Sequence, residues 1–600
     1  MSAQAVITLV ILVATLLLMG TQRLRGELTA LLVMLALILT NVLTAEEAFS
    51  AFGQPVIILI AALFIIGGAL YETGAAAVIA SQIMRLKRRG DLFLLVAIMV
   101  SAALLSAFIS NLLVVAVFLP AVLRVARRAR IPPAQLLMPL NTAGEMGSFL
   151  LLIGAISTVV INDLLVSSGY APLGLFALVP YGLVFLSITI LWFALFGPRL
   201  LPTTMPSETE RPTLGEVERT YQLQEQLYQV RVRAGSDLVG KRLNEAQLGP
   251  TFRLNVVAIQ PDGADLRPAR SDWVLEQDDI LVLEGARGDV LQASSIHHLE
   301  PKGTIPLDRF EQLEKQTVRL AEVMVPFRSN LVGKTVAESR FRDEHGLNIL
   351  AIHRDEKVIH GELSELRLAA GDTMLVQGAL PRLHDVGQDL NLILVTHLGP
   401  RRGDVISRKI WLTAGILAVM IIVVVFNLLS LATASLAAAL ALLATDCISV
   451  ERAYQSIDAS ILLIVGGLLP LATALEKTGL AAIFASAIAG LDAGPFATLV
   501  LIYALSVVLT QVISNTVVGV LLLPVAINLA QAVVLPPHAL AIALMIGVTT
   551  SYVTPLTHGS NLMILGPGGY SMRDFLVNHL PIFVLQSAAL LAMLYFIYLS

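Results

Sequence analysis

Apolar stretches of roughly 17 residues or more, each long enough to cross about 30 Å of hydrocarbon, recur ten times: 4–20, 27–44, 55–72, 135–165, 172–197, 409–427, 429–446, 459–476, 539–565 and 579–599. A chain carrying so many must satisfy its backbone polar groups inside a bilayer, and helices do that within a single segment. The fold class is therefore a polytopic α-helical membrane protein. Charge falls elsewhere. Of the 84 charged side chains, 56 lie between Leu201 and Arg408, leaving the two flanks almost charge-free. The chain reads as a membrane part over 1–200, a linker over 201–220, two small modules at 221–298 and 314–392, and a second membrane part over 405–600. A net charge of −4 with scattered Lys and Arg excludes nucleic acid as a partner. The single cysteine, Cys447, excludes an internal disulfide framework. The first apolar run lacks a basic leader and a small-residue cleavage site before the basic 22–26, so it reads as a retained helix.

The two membrane parts are copies of one unit. Ile109-Ser110-Asn111, Leu119-Pro120 and Pro132-Pro133 return as Ile513-Ser514-Asn515, Leu523-Pro524 and Pro536-Pro537, all 404 residues later. Basic clusters mark cytoplasmic flanks. The segment 91–123 has them on both sides, Arg85, Lys87, Arg88 and Arg89 before it and Arg124, Arg127, Arg128 and Arg130 after it. It must enter and leave on the cytoplasmic side, as a re-entrant hairpin with Ser110-Asn111 at its tip. No Lys or Arg occurs from Thr478 to Met572, so the equivalent hairpin, about 497–534 with Ser514-Asn515-Thr516 at its tip, opens outward. The expected architecture is two inverted repeats of about five spans plus a hairpin each.

A helix broken inside the bilayer leaves N–H and C=O groups that only protein, water or a ligand can satisfy. The helix starting after a tip turns its positive end toward an anion, while carbonyls and Ser or Asn oxygens suit a hard cation. Ser106 precedes Ser110, and Thr510 precedes Ser514, by the four residues that put both hydroxyls on one helix face. Each hairpin is followed by an interrupted span, with Gly144, Gly147 and Gly154 in the first and Thr549 to Asn561 in the second. Glu145, an intramembrane carboxylate, is a candidate proton or cation relay. His558, beside the second break, reads as a hydrogen-bonded structural histidine rather than a ligand.

Ser551-Tyr552-Val553-Thr554-Pro555, Ser560-Asn561-Leu562-Met563, Gly566-Pro567-Gly568-Gly569-Tyr570 and Arg573-Asp574-Phe575 resemble the closing signature of the divalent anion:sodium symporter family. The paired Ser-Asn tips are similar too. The resemblance implies an elevator-type carrier, a homodimer in the cytoplasmic (inner) membrane, moving sulfate or di- and tricarboxylates with sodium as the coupling ion and no cofactor. It implies one sodium site framed by Ser106, Ser110, Asn111 and Gly154, and another by Thr510, Ser514, Asn515 and Thr557. The implied substrate contacts are Ser110, Asn111, Ser514, Asn515, Thr516, Thr554, Pro555, Ser560 and Asn561. The chain departs from the family pattern where the first tip reads Ser-Asn-Leu, and where Ala155-Ile156-Ser157-Thr158 stands in place of Thr-Pro-Pro-Asn.

The middle segment is itself duplicated. Asp237-Leu238-Val239-Gly240-Lys241 matches Asn330-Leu331-Val332-Gly333-Lys334, and Leu254 to Ile259 matches Leu347 to Ile352, at an offset of 93. Alternating patterns such as Leu281-Val282-Leu283 predict small α+β modules. They resemble the C-terminal lobe of regulator-of-potassium-conductance domains (TrkA-C), which implies dimerisation and a small regulatory ligand such as a nucleotide. No Gly-rich dinucleotide fingerprint accompanies them. Arg199, Arg401, Arg402 and Arg408 place the insert in the cytoplasm. No Walker A, H-E-x-x-H or Gly-x-Ser-x-Gly motif points to an enzyme, and no TVGYG filter points to a potassium channel. The expected function is sodium-coupled anion transport, with a ligand-gated channel or a membrane anion sensor as the alternatives.

Overall fold

The computed structural model divides into two units, Met1–Thr204 with Asp404–Ser600, and Met205–Gly403. It describes residues 2–600 except 22–23, 75–89, 130, 204–226, 244, 253, 262–266, 270–272, 285–286, 305–317, 326–328, 355–356, 360–362, 370, 380–381, 384–385, 387–391, 395–407, 491–493, 551 and 555–557.

The first unit is helical. Its first half contains α1 (Ala3–Thr21), α2 (Gly26–Leu39), α3 (Ala45–Phe49), α4 (Pro55–Glu72), α5 (Asp91–Ser106), α6 (Asn111–Ala129), α7 (Ala134–Gly147), α8 (Ile156–Ser167) and α9 (Val179–Leu195). Its second half contains α10 (Arg408–Val425), α11 (Leu431–Ala444), α12 (Val450–Ser456), α13 (Ala459–Lys477), α14 (Leu480–Ala489), α15 (Gly494–Thr510), α16 (Asn515–Ala532), α17 (Pro537–Thr549), α18 (Gly559–Gly568) and α19 (Met572–Tyr598). Among the described residues, five helices are long and apolar enough to cross a membrane alone, counting Ala45–Glu72 as one, and ten shorter apolar helices accompany them. Leu39, Trp411, Phe426 and Phe596 are 70% or more exposed, an outer surface that suits lipid and not water.

Local chemistry sets the helix ends. Thr44 and Glu47 close a capping box on α3, and Ser571 and Asp574 close another on α19. Ser449 and Asp458 cap α12 and α13 through their side-chain oxygens. The two stretches read as interrupted spans are each two helices, as expected. The span at 135–165 is α7 and α8, separated by residues 148–155, and that at 539–565 is α17 and α18, separated by 550–558. The span at 172–197 starts late, at Val179, after an irregular stretch at 171–174 that carries Pro172 and Gly174 and a turn at 175–178. Beyond the expected spans, α14 is a further short apolar helix.

Contacts between the halves come in exchanged pairs. Helix α2 packs on α13, and α11, the counterpart of α2, packs on α4, the counterpart of α13. Two ion pairs follow the same rule. Glu47 of α3 meets Lys477 of α13 at 2.7 Å, and Arg452 of α12 meets Glu72 of α4 at 3.6 Å. An offset of 405 carries Glu47 onto Arg452 and Glu72 onto Lys477, so each pair is the other with its charges reversed.

The second unit holds two five-stranded antiparallel sheets. The first joins β1 (Leu227–Val232), β2 (Asn255–Gln260), β3 (Arg267–Pro268), β4 (Ile280–Glu284) and β5 (Leu299–Thr304) in the order β3-β2-β4-β1-β5. The second joins β6 (Val318–Met324), β7 (Asn348–Arg354), β8 (Lys357–Ile359), β9 (Thr373–Ala379) and β10 (Ile393–Leu394) in the matching order β8-β7-β9-β6-β10. The first sheet thus extends one strand past residue 298. The turns repeat as well. Asp279 accepts from the Glu276 N–H at 2.9 Å, as Asp372 does from the Ala369 N–H at 2.7 Å. Asp372 is buried and is held bidentately by Arg354, with both bonds at 2.7 Å. Each sheet covers its own apolar core, around Val230, Ile259 and Leu281 in one and Val323, Ile352 and Val376 in the other.

Candidate functional site

The first hairpin breaks at residues 107–110, between α5 and α6. Ser110 is exposed and sits just before α6, where its carbonyl accepts the Leu113 and Val114 N–H groups. Asn111, the first residue of α6, is buried and lies against Gly144 of α7. A Cβ added at residue 144 would stand 2.0 Å from Asn111 Oδ1, so only glycine admits this approach. Asn111 Nδ2 donates to Asn141 Oδ1 at 3.0 Å and to Ser560 Oγ at 3.1 Å. Asn141 Nδ2 donates to Asn561 Oδ1 at 2.5 Å, and Asn561 Nδ2 donates to the Thr554 carbonyl at 3.0 Å.

Ser560 connects this network to charge. Its hydroxyl lies 3.4 Å from Glu145 Oε1 and 2.6 Å from His558 Nδ1, and His558 Nδ1 is 3.7 Å from Glu145 Oε1. One hydroxyl proton serves two acceptors. His558 also caps α18 by accepting the Ser560 N–H at 3.3 Å. The first tip is thereby closed by the second half of the chain, since α18 packs on α6 and α7.

The second tip is closed reciprocally. Helix α8 packs on α16 and α17, and Ser157 Oγ lies 3.5 Å from Thr549 Oγ1. Thr510 Oγ1 is 2.7 Å from Asn515 Oδ1 and 2.9 Å from the Val548 carbonyl. Ser514 is exposed before α16, where its carbonyl accepts the Val518 N–H, and Thr516 is half-buried in the first turn.

The implied site residues therefore divide. Asn111, Ser560, Asn561 and the Thr554 carbonyl form one network with Glu145, and Thr510 with Asn515 forms another. Gly154 lies over the backbone of Ser148, where an added Cβ would be 2.5 Å from its carbonyl oxygen. Ser106 ends α5, buried, and its Oγ has no hydrogen-bond partner among the described residues. Pro555 and Thr557 lie outside the described residues. Two members of the network went unread as ligands. Asn141 was signalled by its place four residues before Glu145 on an otherwise apolar helix face. His558, read as structural, does cap a helix but also faces the carboxylate.

The citrate transporter family (CitMHS) matches residues 14–547. The uncharacterized transporter YfbS of Escherichia coli K12 is 30% identical over 621 residues, covering 99% of each chain. Sodium/sulfate cotransporter 1 of Chlamydomonas reinhardtii is 25% identical over 59% of this chain and 41% of its own. Among solved structures, the Alcanivorax borkumensis YdaH transporter aligns at a TM-score of 0.40 and 13% identity, over 99% of this chain and 97% of that one. The chain belongs to the citrate transporter family and is a multi-pass membrane transporter.

Proposed function

We propose that the chain is a secondary active carrier that moves a small anion, sulfate or a di- or tricarboxylate, together with sodium by an elevator-type displacement. The observation that carries this reading is the crossed closure of the tips, in which α18 of the second half seals the first tip and α8 of the first half seals the second. A site built from both halves at broken helices suits alternating access, because one body carrying both tips can move while the site stays assembled. The first turn of α6 offers backbone N–H groups and its positive dipole end to an anion. The unpartnered oxygens Ser106 Oγ and Asn111 Oδ1 fit a hard cation. Sodium would supply positive charge there and lower the cost of bringing an anion into the membrane. At the second tip Thr510, Ser514 and Asn515 would hold the counterpart ion.

The reversed ion pairs support inverted repeats. α4 separates its own first turn, near Glu47, from Glu72 by 18 residues, or about 27 Å at 1.5 Å per residue, so the two pairs suit opposite membrane faces. The insert, placed in the cytoplasm, would bias the carrier through a small ligand such as a nucleotide, and the carrier would work as a homodimer.

The test is uptake by proteoliposomes of sulfate, thiosulfate, succinate and citrate, with and without an inward sodium gradient. One of these anions should accumulate only with the gradient. Equal, non-saturating flux in both conditions would replace the carrier with a channel, and no flux with retained anion binding would replace it with a sensor.

A further inference from the structure

The geometry points to a residue outside the implied ligand sets: we propose that Glu145 is a charged ligand of the cation at the first tip, holding it jointly with Asn111 and Ser106. This rests on the sodium-coupled reading above and adds to it the source of the site's charge.

Three side-chain oxygens in this part of the first half, Ser106 Oγ, Asn111 Oδ1 and Glu145 Oε2, are buried and have no hydrogen-bond partner among the described residues. They belong to three successive elements, the end of α5, the start of α6 and the last turn of α7. Their neighbourhood follows from two observations. Asn111 Nδ2 and Glu145 Oε1 both bind Ser560 Oγ, at 3.1 Å and 3.4 Å, so the two side chains share one intermediary. In the second half Thr510, the counterpart of Ser106, touches Asn515 Oδ1 and the carbonyl of Val548, and Val548 is the counterpart of Gly144. By the offset of 404, Ser106 corresponds to Thr510 and so to a position facing Asn111 and Gly144, the residue before the carboxylate, although its hydroxyl makes neither of the bonds that Thr510 makes.

A buried carboxylate requires a compensating charge. His558, at 3.7 Å from Oε1, is the basic side chain paired with it among the described residues, and Oε2 is left open. One other base stands nearby, His579 of α19, whose Nε2 lies 2.8 Å from Thr142 Oγ1 on α7, and it makes no ion pair with Glu145 among the described residues. No Lys or Arg occurs in α5, α9 or α18, and the arginines of α6 begin at Arg124, 13 residues from Asn111 and about 20 Å along the helix. A monovalent cation on Oε2, completed by two neutral oxygens, satisfies all three orphaned atoms at once. It also cancels the negative charge beside Asn111 and Ser560 before an anion arrives, which orders binding as cation first and anion second. Thr549 stands at the equivalent position of the second tip, so the charge belongs to the first tip alone.

The test is direct sodium binding by the purified full-length protein in the absence of anion, read as the sodium-dependent rise of thermal midpoint against choline and as equilibrium binding of radioactive sodium. Glu145→Gln should weaken binding on the order of 100-fold and remove one bound ion, the usual cost of neutralising one partner of a buried charge pair. Glu145→Asp, which keeps the charge, should retain part of the affinity, and it serves in place of Glu145→Gln if that variant fails to fold. Ser106→Ala should weaken binding less. Sodium affinity and stoichiometry unchanged in Glu145→Gln would overturn the proposal and leave the carrier intact. No sodium dependence in the wild type would instead defeat sodium coupling itself, and this inference with it.

Discussion

The two hairpin tips share a backbone plan and differ in how their polar atoms are satisfied. At the second tip the Thr510 hydroxyl meets Asn515 Oδ1 and the Val548 carbonyl, so the break closes on itself. At the first tip the corresponding hydroxyl and amide oxygen, on Ser106 and Asn111, have no such partners, and Asn111 instead turns its Nδ2 to Asn141 and Ser560. Two residue choices account for the difference. Threonine has few χ1 options and holds its hydroxyl in place, whereas serine does not. Glycine at 144 lets Asn111 approach α7, while its counterpart Val548 carries a side chain. Duplication therefore supplied two geometrically similar tips, and small side-chain changes made one self-contained and the other ready for a ligand.

The strongest way to break this comparison is Gly144→Ala. The added Cβ cannot coexist with Asn111 Oδ1 where it stands, so the Asn111 amide must shift relative to Asn141 and Ser560. Because misplacing a binding group by about 1 Å can cost on the order of 100-fold, initial uptake should fall by that order, while Val548→Ala at the other tip changes it only a few-fold. Normal uptake by Gly144→Ala would show that Asn111 does not need its observed position. A gentler test is Ser106→Thr, which gives the first tip the second tip's chemistry. If the new hydroxyl bonds inward, about 1 kcal/mol of internal hydrogen bonding must be broken to admit a cation, and the half-saturating sodium concentration should rise roughly fivefold. An unchanged sodium curve would mean that hydroxyl placement does not distinguish the tips. The smallest expected effect is a control on locality. Lys477→Ala breaks a half-exposed ion pair with Glu47, far along the chain from both tips, and should cost no more than about 1 kcal/mol of stability in thermal unfolding. Both tips should keep their sodium dependence. Exchanging the charges, with Glu47→Lys and Lys477→Glu together, should restore the loss.

Much of this plan was legible in the chain. Helix-length apolar runs identified the membrane parts, and offsets of 404 and 93 exposed the two duplications, because repeated turn and break residues keep their spacing when surfaces drift. The same offsets found both tips before any geometry was known. Glu145 stood out because an acid is costly in an apolar span. Its partners did not, because Ser560 lies 415 residues away and nothing local to either segment refers to the other. Asn141 was missed for a related reason. A single amide on an apolar helix does not say whether it faces a neighbour, a ligand or its own backbone.

The apolar helical spans, the breaks and the segregation of the charged insert were determined by the sequence alone, since each follows from local periodicity and the intolerance of hydrocarbon for unpaired backbone. The tertiary structure alone decided that each broken helix closes the other half's hairpin, which oxygens stay without partners, and that Glu145 meets His558 through Ser560. Apolar patterning specifies that a helix face must be covered but not by which helix. That choice is made by packing across hundreds of residues, where one missing Cβ at Gly144 decides whether two segments can touch.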